Sequence, residues 1–183
     1  MNRDELLHRY ARGERQFSGI ELPQVDLSNT NLTGIDLRNA NLILSNLNGA
    51  CLANANLSGA NLIGIDAIAT EFQQANLTWA KLIGSTLIEA HFDHASMVEA
   101  VLSGANLERG KLRQCCLIGA DLVGCNLMDA DISYSNLMNA NLSGADLRRA
   151  QIVDTNVQGA LRKNAKMSNE QIVQFVGQQP LGA

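Results

Sequence analysis

Large apolar residues recur along this chain at every fifth position. The stretch 45–64 reads SNLNGACLANANLSGANLIG, in which the leucines stand five residues apart at Leu47, Leu52, Leu57 and Leu62. A period of five matches neither the 3.6-residue period of a helix nor the 2-residue period of a strand. The pattern therefore predicts a repeat architecture built from five-residue units.

The register continues without insertion from Phe17 to Val157, which makes 29 consecutive pentapeptides. We call the large apolar residue the centre of each pentapeptide, and Ala67 is the one centre that is not bulky. The residue two positions before a centre is small, so both are predicted to point inward in a narrow, densely packed core. Glycine or asparagine often stands two positions after the centre, which favours turns with positive φ.

The motifs ANLSG at 55–59 and 140–144, ANLIG at 60–64 and ADLVG at 120–124 resemble the pentapeptide repeat family. The resemblance extends over about residues 15–160, and the leader ELLHRYARGERQFSG is similar to the openings of cyanobacterial members. It implies an all-β solenoid, a right-handed quadrilateral β-helix with four pentapeptides per coil and about seven coils. Centres twenty residues apart would then stack about 4.8 Å apart, Phe92 on Phe72 among them.

The two ends of the chain depart from the repeat and predict short helical caps. Leu6, Leu7 and Tyr10 share one face of an N-terminal helix that must cover the first coil. The register fails at Arg162, and Ser168 with Gln171 forms a capping-box pattern that starts a second helix. The predicted divisions are a capping helix over 1–14, the β-helix over 15–160, and a cap helix with a disordered tail over 161–183.

Composition narrows the class of function. The net charge of -4 argues against direct binding of nucleic acid. No apolar run reaches the roughly 20 residues that span a membrane, and the start MNRDELLHRY lacks the apolar region of a secretion signal. We therefore expect a cytoplasmic protein that has no membrane association.

The four cysteines match no zinc-binding spacing and are expected to replace alanine or serine in the repeat. Cys116 falls in an outward column, which leaves an exposed thiol as the alternative for that residue. These cysteines are Cys51, Cys115, Cys116 and Cys125.

Catalytic, metal-binding and cofactor-binding residues are not predicted, because a filled core with flat walls offers no pocket where polar groups converge. His91, Asp93 and His94 form the one histidine cluster of the sequence. We interpret this cluster as solvated surface, since a metal site would need a third ligand in a geometry that flat stacking does not favour. A metal-dependent enzyme is the alternative interpretation.

A second functional class follows from the resemblance. Some members of the family resemble DNA in shape and charge, bind type II topoisomerases such as gyrase and protect against quinolones. Such mimicry needs a long acidic surface, yet from Glu21 to Asp154 the repeat carries 14 acidic and 7 basic residues. Lys111 and Arg113 interrupt the predicted acidic stripe, so DNA mimicry remains the alternative function.

The leading prediction is a non-enzymatic protein–protein interaction scaffold whose protein partner is unidentified, and a weak homodimer is among the expected contacts. Resemblance to cyanobacterial members, one of which regulates heterocyst differentiation, implies a regulatory or adaptor role. The predicted contact surface is one flat, largely β-branched side of the rod, where charges are few. We call it the apolar wall, and it comprises Ile43, Leu44, Ile63, Ile83, Val101 and Val123.

Two alternatives stay open for the outward apolar residues. Stacked β-branched side chains can simply stabilise a ladder of paired strands, with no partner involved. Trp79 and Tyr134 are predicted to point outward as well. They could anchor a contact, or they could be ordinary surface aromatics.

Overall fold

Each segment of the repeat pairs with the segment twenty residues further along the chain. In the computed structural model, which describes residues 1–171, single-residue parallel bridges run in five-residue steps from Gln16↔Asp36 to Asp146↔Lys166. Four such steps separate a residue from its partner, so each coil has four walls. Among the described residues the β-structure consists of these isolated bridges, and the one complete helix, α1, spans Arg3–Ala11.

Backbone hydrogen bonds hold neighbouring coils together at every wall. On the wall that carries Leu62, the Leu62 N–H donates to the Lys81 carbonyl at 2.8 Å. The Lys81 N–H returns a bond to the Ala60 carbonyl at 3.0 Å. Repeated on all four walls, these bonds satisfy the backbone groups that lie between coils, as a solenoid requires.

The core contains the centres and the small residues two positions before them, as the pattern predicts. Centres such as Leu62 and Leu82 are fully buried, and so is Ala67. The predicted stacking of like on like is confirmed for Phe72 and Phe92, whose ring centroids are 4.8 Å apart with nearly parallel planes. Aromatic stacking of this kind adds to the stabilisation that burial provides.

Every corner residue from Gly19 to Asn164, two positions after its centre, has a positive φ. At one corner the Ala50 N–H donates to the Leu47 carbonyl at 2.9 Å, which is the closing bond of a β-turn with positive φ at its second central residue. The predicted role of glycine and asparagine is confirmed. The same conformation also holds bulky residues such as Leu44 and Trp79, which adopt it at an energetic cost.

Asparagine or aspartate before a centre has a structural role that the sequence analysis did not assign. The side-chain oxygen of Asn136 accepts the N–H of Met138 at 3.1 Å, and that of Asn76 accepts the N–H of Thr78 at 3.1 Å. Each such bond satisfies the first N–H of the turn, in the manner of an Asx turn. The second position of the repeat motif is therefore selected by hydrogen bonding as well as by exposure.

Helix α1 packs against the first coil. Asn2 caps it by accepting the Glu5 N–H at 2.9 Å, and Leu6 is fully buried. Arg3 Nε donates to the Asp26 carbonyl at 2.6 Å, and the Tyr10 hydroxyl donates to the Thr33 carbonyl at 2.8 Å. In later coils the equivalent carbonyls accept N–H groups from the preceding coil, so these two bonds replace a coil that does not exist.

The paired coil extends further than the predicted boundary at residue 160. Bridges continue to Lys166 although Arg162 occupies a centre, because backbone bonds such as Leu142 N–H to Leu161 O (2.7 Å) do not depend on the side chain at the centre. Met167 then returns an apolar side chain to the register, partly buried against the core.

The predicted capping box is present at the C-terminal end of the described chain. Ser168 N–H donates to Gln171 Oε1 at 2.7 Å, and Gln171 N–H donates to Ser168 Oγ at 3.2 Å. Gln171 Nε2 also donates to the Leu147 and Ala150 carbonyls, each at 2.8 Å, and so covers part of the last coil. The rest of the predicted cap helix and tail lies outside the described residues.

Candidate protein-interaction surface

The structure brings the six residues of the apolar wall to one side of the rod. Ile43, Ile63 and Ile83 occupy successive coils, since Leu44 N–H donates to Ile63 O at 2.9 Å and Gly64 N–H donates to Ile83 O at 3.0 Å. Val123 continues that column two coils beyond Ile83. Val101 lies in the neighbouring column of the same wall, bridged to Lys81 on one side and Asp121 on the other.

Exposure differs among these six residues. Leu44 is 57% exposed, Ile83 39% and Val123 37%, whereas Ile43, Ile63 and Val101 are half-buried. The half-buried residues already contact their neighbours in the ladder. The exposed three present apolar surface that the coil itself does not cover.

Glycines keep one corner of the wall flat. A Cβ at Gly64 would lie 2.8 Å from Leu44 Cδ2, so the Leu44 side chain lies along the rod axis over this glycine. Around Gly84, Gly104 and Gly124 a Cβ would have no neighbour within 4 Å. Side chains therefore do not shield the backbone along this corner, and a partner can approach it closely.

The sequence analysis missed apolar residues on the two adjacent walls. Ile68, 40% exposed, and Ile88 follow their centres one pentapeptide after Ile63 and Ile83, and Ala69 N–H to Ile88 O at 2.9 Å stacks them in adjacent coils. The sequence does contain a signal for both residues, because each directly follows a centre, as Ile63 and Ile83 do. On the other adjacent wall the equivalent position carries half-buried apolar residues, namely Val98, Ile118 and Met138.

The wall opposite the apolar one is mostly polar. The column equivalent to the isoleucines reads Ala53, Gln73, Asp93, Arg113 and Ser133, followed by the exposed Val153 in the last coil. His91 lies between Glu71 and Lys111 of the adjacent coils. Across the described residues no group of three or more histidine, cysteine or acidic side chains is placed to hold a metal ion. His94 lines only a shallow open depression with Asp93, Arg113 and Gln114.

One corner carries charges of alternating sign in successive coils. Arg109 Nε lies 2.9 Å from Glu89 Oε1, and Arg149 Nε lies 2.7 Å from Asp129 Oδ1. The hydrogen bond from Arg149 lowers the pKa of Asp129. These pairs are largely exposed, so each contributes little to stability. They do, however, neutralise the negative potential that an acidic stripe would need.

Two aromatic residues have polar or cationic neighbours. Trp79 is 61% exposed, and its indole N–H donates to Glu99 Oε2 at 3.0 Å across one coil. Tyr134 is covered by the Arg113 guanidinium, 5.6 Å from the ring centroid. Trp79 is therefore the more accessible of the two and stands at the edge of the apolar wall, two residues before Lys81.

The cysteines divide into two environments. Cys115 and Cys125 are buried, and their thiols donate to the Phe92 and Leu102 carbonyls, each at 2.9 Å. Burial raises the pKa of each of these thiols to about 12. Serine residues in the same slot bind the equivalent carbonyl, as Ser85 Oγ does with Leu62 O at 2.9 Å, so the serine-like role is confirmed for these two. Cys51 and Cys116 are half-buried, and all four thiols are free.

No helix in the described part of the chain is both long and apolar enough to cross a membrane. None of the curated proteins matches the chain significantly. A family model described as "Pentapeptide repeats" matches residues 20–59, 50–87, 87–124, 111–144 and 125–161.

Similar solved structures include pentapeptide repeat proteins from cyanobacteria. HetL from the cyanobacterium Nostoc sp. strain PCC 7120, described as involved in heterocyst differentiation regulation, is 29% identical over 91% of this chain and 94% of its own, with a TM-score of 0.37. Rfr23 from the cyanobacterium Cyanothece 51142 is 25% identical over 90% and 99%, with a TM-score of 0.36.

QnrB1, a plasmid-mediated fluoroquinolone resistance protein, is 20% identical over 91% of this chain and 90% of its own, with a TM-score of 0.56. At that identity the likeness shows the fold alone. Proteins with this repeat fold as right-handed quadrilateral β-helices, in agreement with the four walls and the twenty-residue pairing seen here. The chain belongs to the pentapeptide repeat family.

Proposed function

We propose that this protein is a non-enzymatic scaffold that binds another protein through its apolar wall. The observation that carries the proposal is the contrast between opposite walls of one rod. In the column after the centres, the apolar wall presents Ile43, Ile63 and Ile83, whereas the equivalent column opposite presents Ala53, Gln73 and Asp93. A ladder that needed β-branched residues for stability would need them on both walls.

Exposure and flatness support the same conclusion. Leu44, Ile83 and Val123 keep apolar surface in solvent, and Ile68 extends that surface around the glycine corner. Exposed apolar side chains gathered on one side of a soluble protein are typical of contact sites. A regulatory or adaptor role fits a rod whose walls differ, because the polar wall keeps the complex soluble while the apolar wall binds. The four free thiols fit the cytoplasmic location that we propose.

DNA mimicry is less well supported. The alternating charges from Glu89 to Arg149 place two guanidinium groups along one corner. Arg113 lies near Asp131, at 3.7 Å, on the polar wall. A protein that replaces DNA in a basic groove needs uninterrupted negative charge, and these pairs remove it from both surfaces. A gyrase supercoiling assay with the protein added is expected to show no inhibition.

Capture of a partner from the native cell tests the proposal. The full chain with Ile63→Glu and Ile83→Glu is compared with wild type as immobilised bait, followed by identification of the bound proteins. The matched control adds two carboxylates one coil apart in the equivalent column of the opposite wall, with Ala53→Glu and Gln73→Glu. We expect the apolar-wall variant to lose a specific partner that wild type and the control both retain. Equal capture by all three would contradict the proposal.

A further inference from the structure

One column of the apolar wall carries opposite charges at equal distances on either side of a central valine. The outward residues that precede the centres are, coil by coil, Asn61, Lys81, Val101, Asp121 and Asn141, each bridged to the next. From Val101, one step in either direction meets a charge, positive at Lys81 and negative at Asp121. A second step in either direction meets an asparagine.

Lys81 and Val101 are not what the coil itself favours at these positions. In the same column Asn61 accepts the Ile63 N–H at 3.4 Å, and Asp121 accepts the Val123 N–H at 3.0 Å. Lysine and valine have no acceptor with which to make this bond. The Lys81 side chain is exposed and forms no ion pair or hydrogen bond with the described residues. Both side chains therefore remain available for contact outside the coil.

We propose that two copies of this chain associate side by side through the apolar wall, antiparallel, about a two-fold axis that passes through Val101. The axis lies in the plane of contact, perpendicular to the rods and level with Val101. The coil one step above Val101 in one copy therefore faces the coil one step below it in the other. Lys81 of one copy then faces Asp121 of the second copy. Because a two-fold interface is isologous, this ion pair forms twice, and Val101 meets the same residue of the second copy between the pairs.

The same axis keeps each residue at its place along the coil, so the residue two positions after Lys81 meets the residue two positions after Asp121. Ile83 of each copy therefore packs on Val123 of the other. Both residues are exposed in the single chain, at 39% and 37%. Burial of these aliphatic side chains against each other supplies apolar contact on either side of Val101.

Trp79 faces the Gly119 corner of the second copy, so its exposed indole is covered at the edge of the contact. Its indole N–H stays bonded to Glu99 of its own chain, and the Ser103 hydroxyl stays bonded to Asp121 of its own chain. Opposite charges and apolar pairs thus both follow from a single axis.

This inference rests on the proposed function, since it treats the apolar wall as an interaction surface and identifies a second copy as one occupant. It also implies regulation, because a wall paired with its own copy is closed to another protein. Self-association and partner binding would then compete, and the balance between them would depend on the concentration of the protein.

Sedimentation equilibrium of the full chain at low salt tests the axis. Lys81→Asp and Asp121→Lys each place like charges at both contacts of a homodimer, and we expect the dimer dissociation constant of either variant to rise about tenfold or more. In an equimolar mixture of the two variants, one contact pairs the two introduced side chains and the other pairs the two native ones. The mixture is therefore expected to regain the affinity of wild type.

A matched control and an independent readout accompany this experiment. Lys111→Asp and Asp131→Lys change the same column position on the opposite wall, one coil apart, and should leave the dissociation constant unchanged. Trp79 is the single tryptophan of the chain, so its emission should shift to shorter wavelength as wild type is concentrated. The two charge-reversed variants should not show that shift when measured separately.

The proposal is overturned if wild type remains monomeric at about 1 mM. It is also overturned if the mixture associates no more tightly than the separate variants. Either result, together with loss of a partner by the Ile63→Glu and Ile83→Glu variant, would leave the proposed function intact and reject only the two-fold pairing. Recovery of affinity in the mixture supports the axis whether or not another partner is captured.

Discussion

Two buried serines that occupy the same slot of the repeat are expected to differ in their contribution to stability. Ser135 Oγ donates to the Leu112 carbonyl at 2.5 Å and also accepts the N–H of Cys115 at 2.9 Å. Ser85 Oγ donates to the Leu62 carbonyl at 2.9 Å in the equivalent way. The N–H one coil below Ser85, that of Ile65, is bound instead by Leu62 O at 3.4 Å.

The magnitudes follow from what each hydroxyl leaves behind when it is removed. Ser85→Ala removes one neutral hydrogen bond, which costs about 0.5–1.5 kcal/mol of unfolding free energy. Ser135→Ala removes a comparable bond and also leaves the buried Cys115 N–H without a partner, which adds about 1–3 kcal/mol. Both serines are almost fully buried, so the difference does not come from burial.

Guanidinium unfolding followed by far-UV circular dichroism, with wild type measured alongside, checks this difference. We expect the unfolding midpoint to fall more for Ser135→Ala than for Ser85→Ala, with the slope unchanged. Ser135→Thr is the control, because it keeps the hydroxyl. Equal midpoints for the two alanine variants would refute the reasoning, since the turn at Cys115 would then have relaxed to bond the Leu112 carbonyl.

Three further predictions concern folding stability, thiol reactivity and the loss of stability in acid. Val101→Asn should raise the unfolding free energy by about 0.5–1 kcal/mol, because the new amide oxygen can accept the Ser103 N–H. The same change should weaken self-association. A lower denaturation midpoint than wild type would contradict the expected gain in stability. With pKa values near 12, Cys115 and Cys125 should not react with Ellman's reagent at pH 8 in the folded protein, whereas Cys51 and Cys116 should react first; rapid reaction of all four would contradict their burial. The hydrogen bond from Arg148 lowers the pKa of Asp146 to about 2, below the usual value of about 3.9. The ionised Asp146 therefore contributes at most about 1 kcal/mol to folding stability, in full above pH 4, and this contribution is lost as the pH falls to 2. Asp146→Asn should flatten the fall in stability over that range in acid titrations followed by circular dichroism, and an equally steep fall would contradict the assignment.

The repeat itself could be predicted from the sequence because its period is a regular spacing of residues along the chain. Five-residue spacing and twenty-residue stacking together place Phe72 beneath Phe92 without any knowledge of tertiary contacts. The capping box of Ser168 and Gln171 could also be predicted, since it depends on residues only three apart. Local chemistry of this kind is visible in a single sequence.

The backbone at the corners could be predicted only in part. Glycine and asparagine signal a positive φ, but Leu44, Trp79 and Arg109 adopt it as well. At those corners the paired coils above and below fix the backbone, so tertiary structure overrides the local preference of the residue. The extension to Lys166 has the same origin, because backbone pairing tolerated Arg162 at a centre.

The sequence was enough to assign the candidate surface to one wall of the rod. It was not enough to define how far the apolar surface extends. The register put Ile63 and Ile83 on one wall, yet Ile68 and Ile88 around the corner were missed because each wall was considered separately. Exposure was also beyond sequence reasoning. Whether an outward isoleucine is covered depends on how side chains of adjacent coils lie over one another, as Leu44 lies over Gly64.

Hydroxyl-radical footprinting of the complex isolated from the native cell tests the central claim most directly. The measurement compares side-chain oxidation in the free protein and in the complex. Our account predicts protection of Ile83, Val123 and Trp79, whether the occupant is another protein or a second copy. His91 and Tyr134, which lie away from the apolar wall, should be oxidised equally in both states. Protection of His91 and Tyr134 with no change at Ile83 would contradict the account.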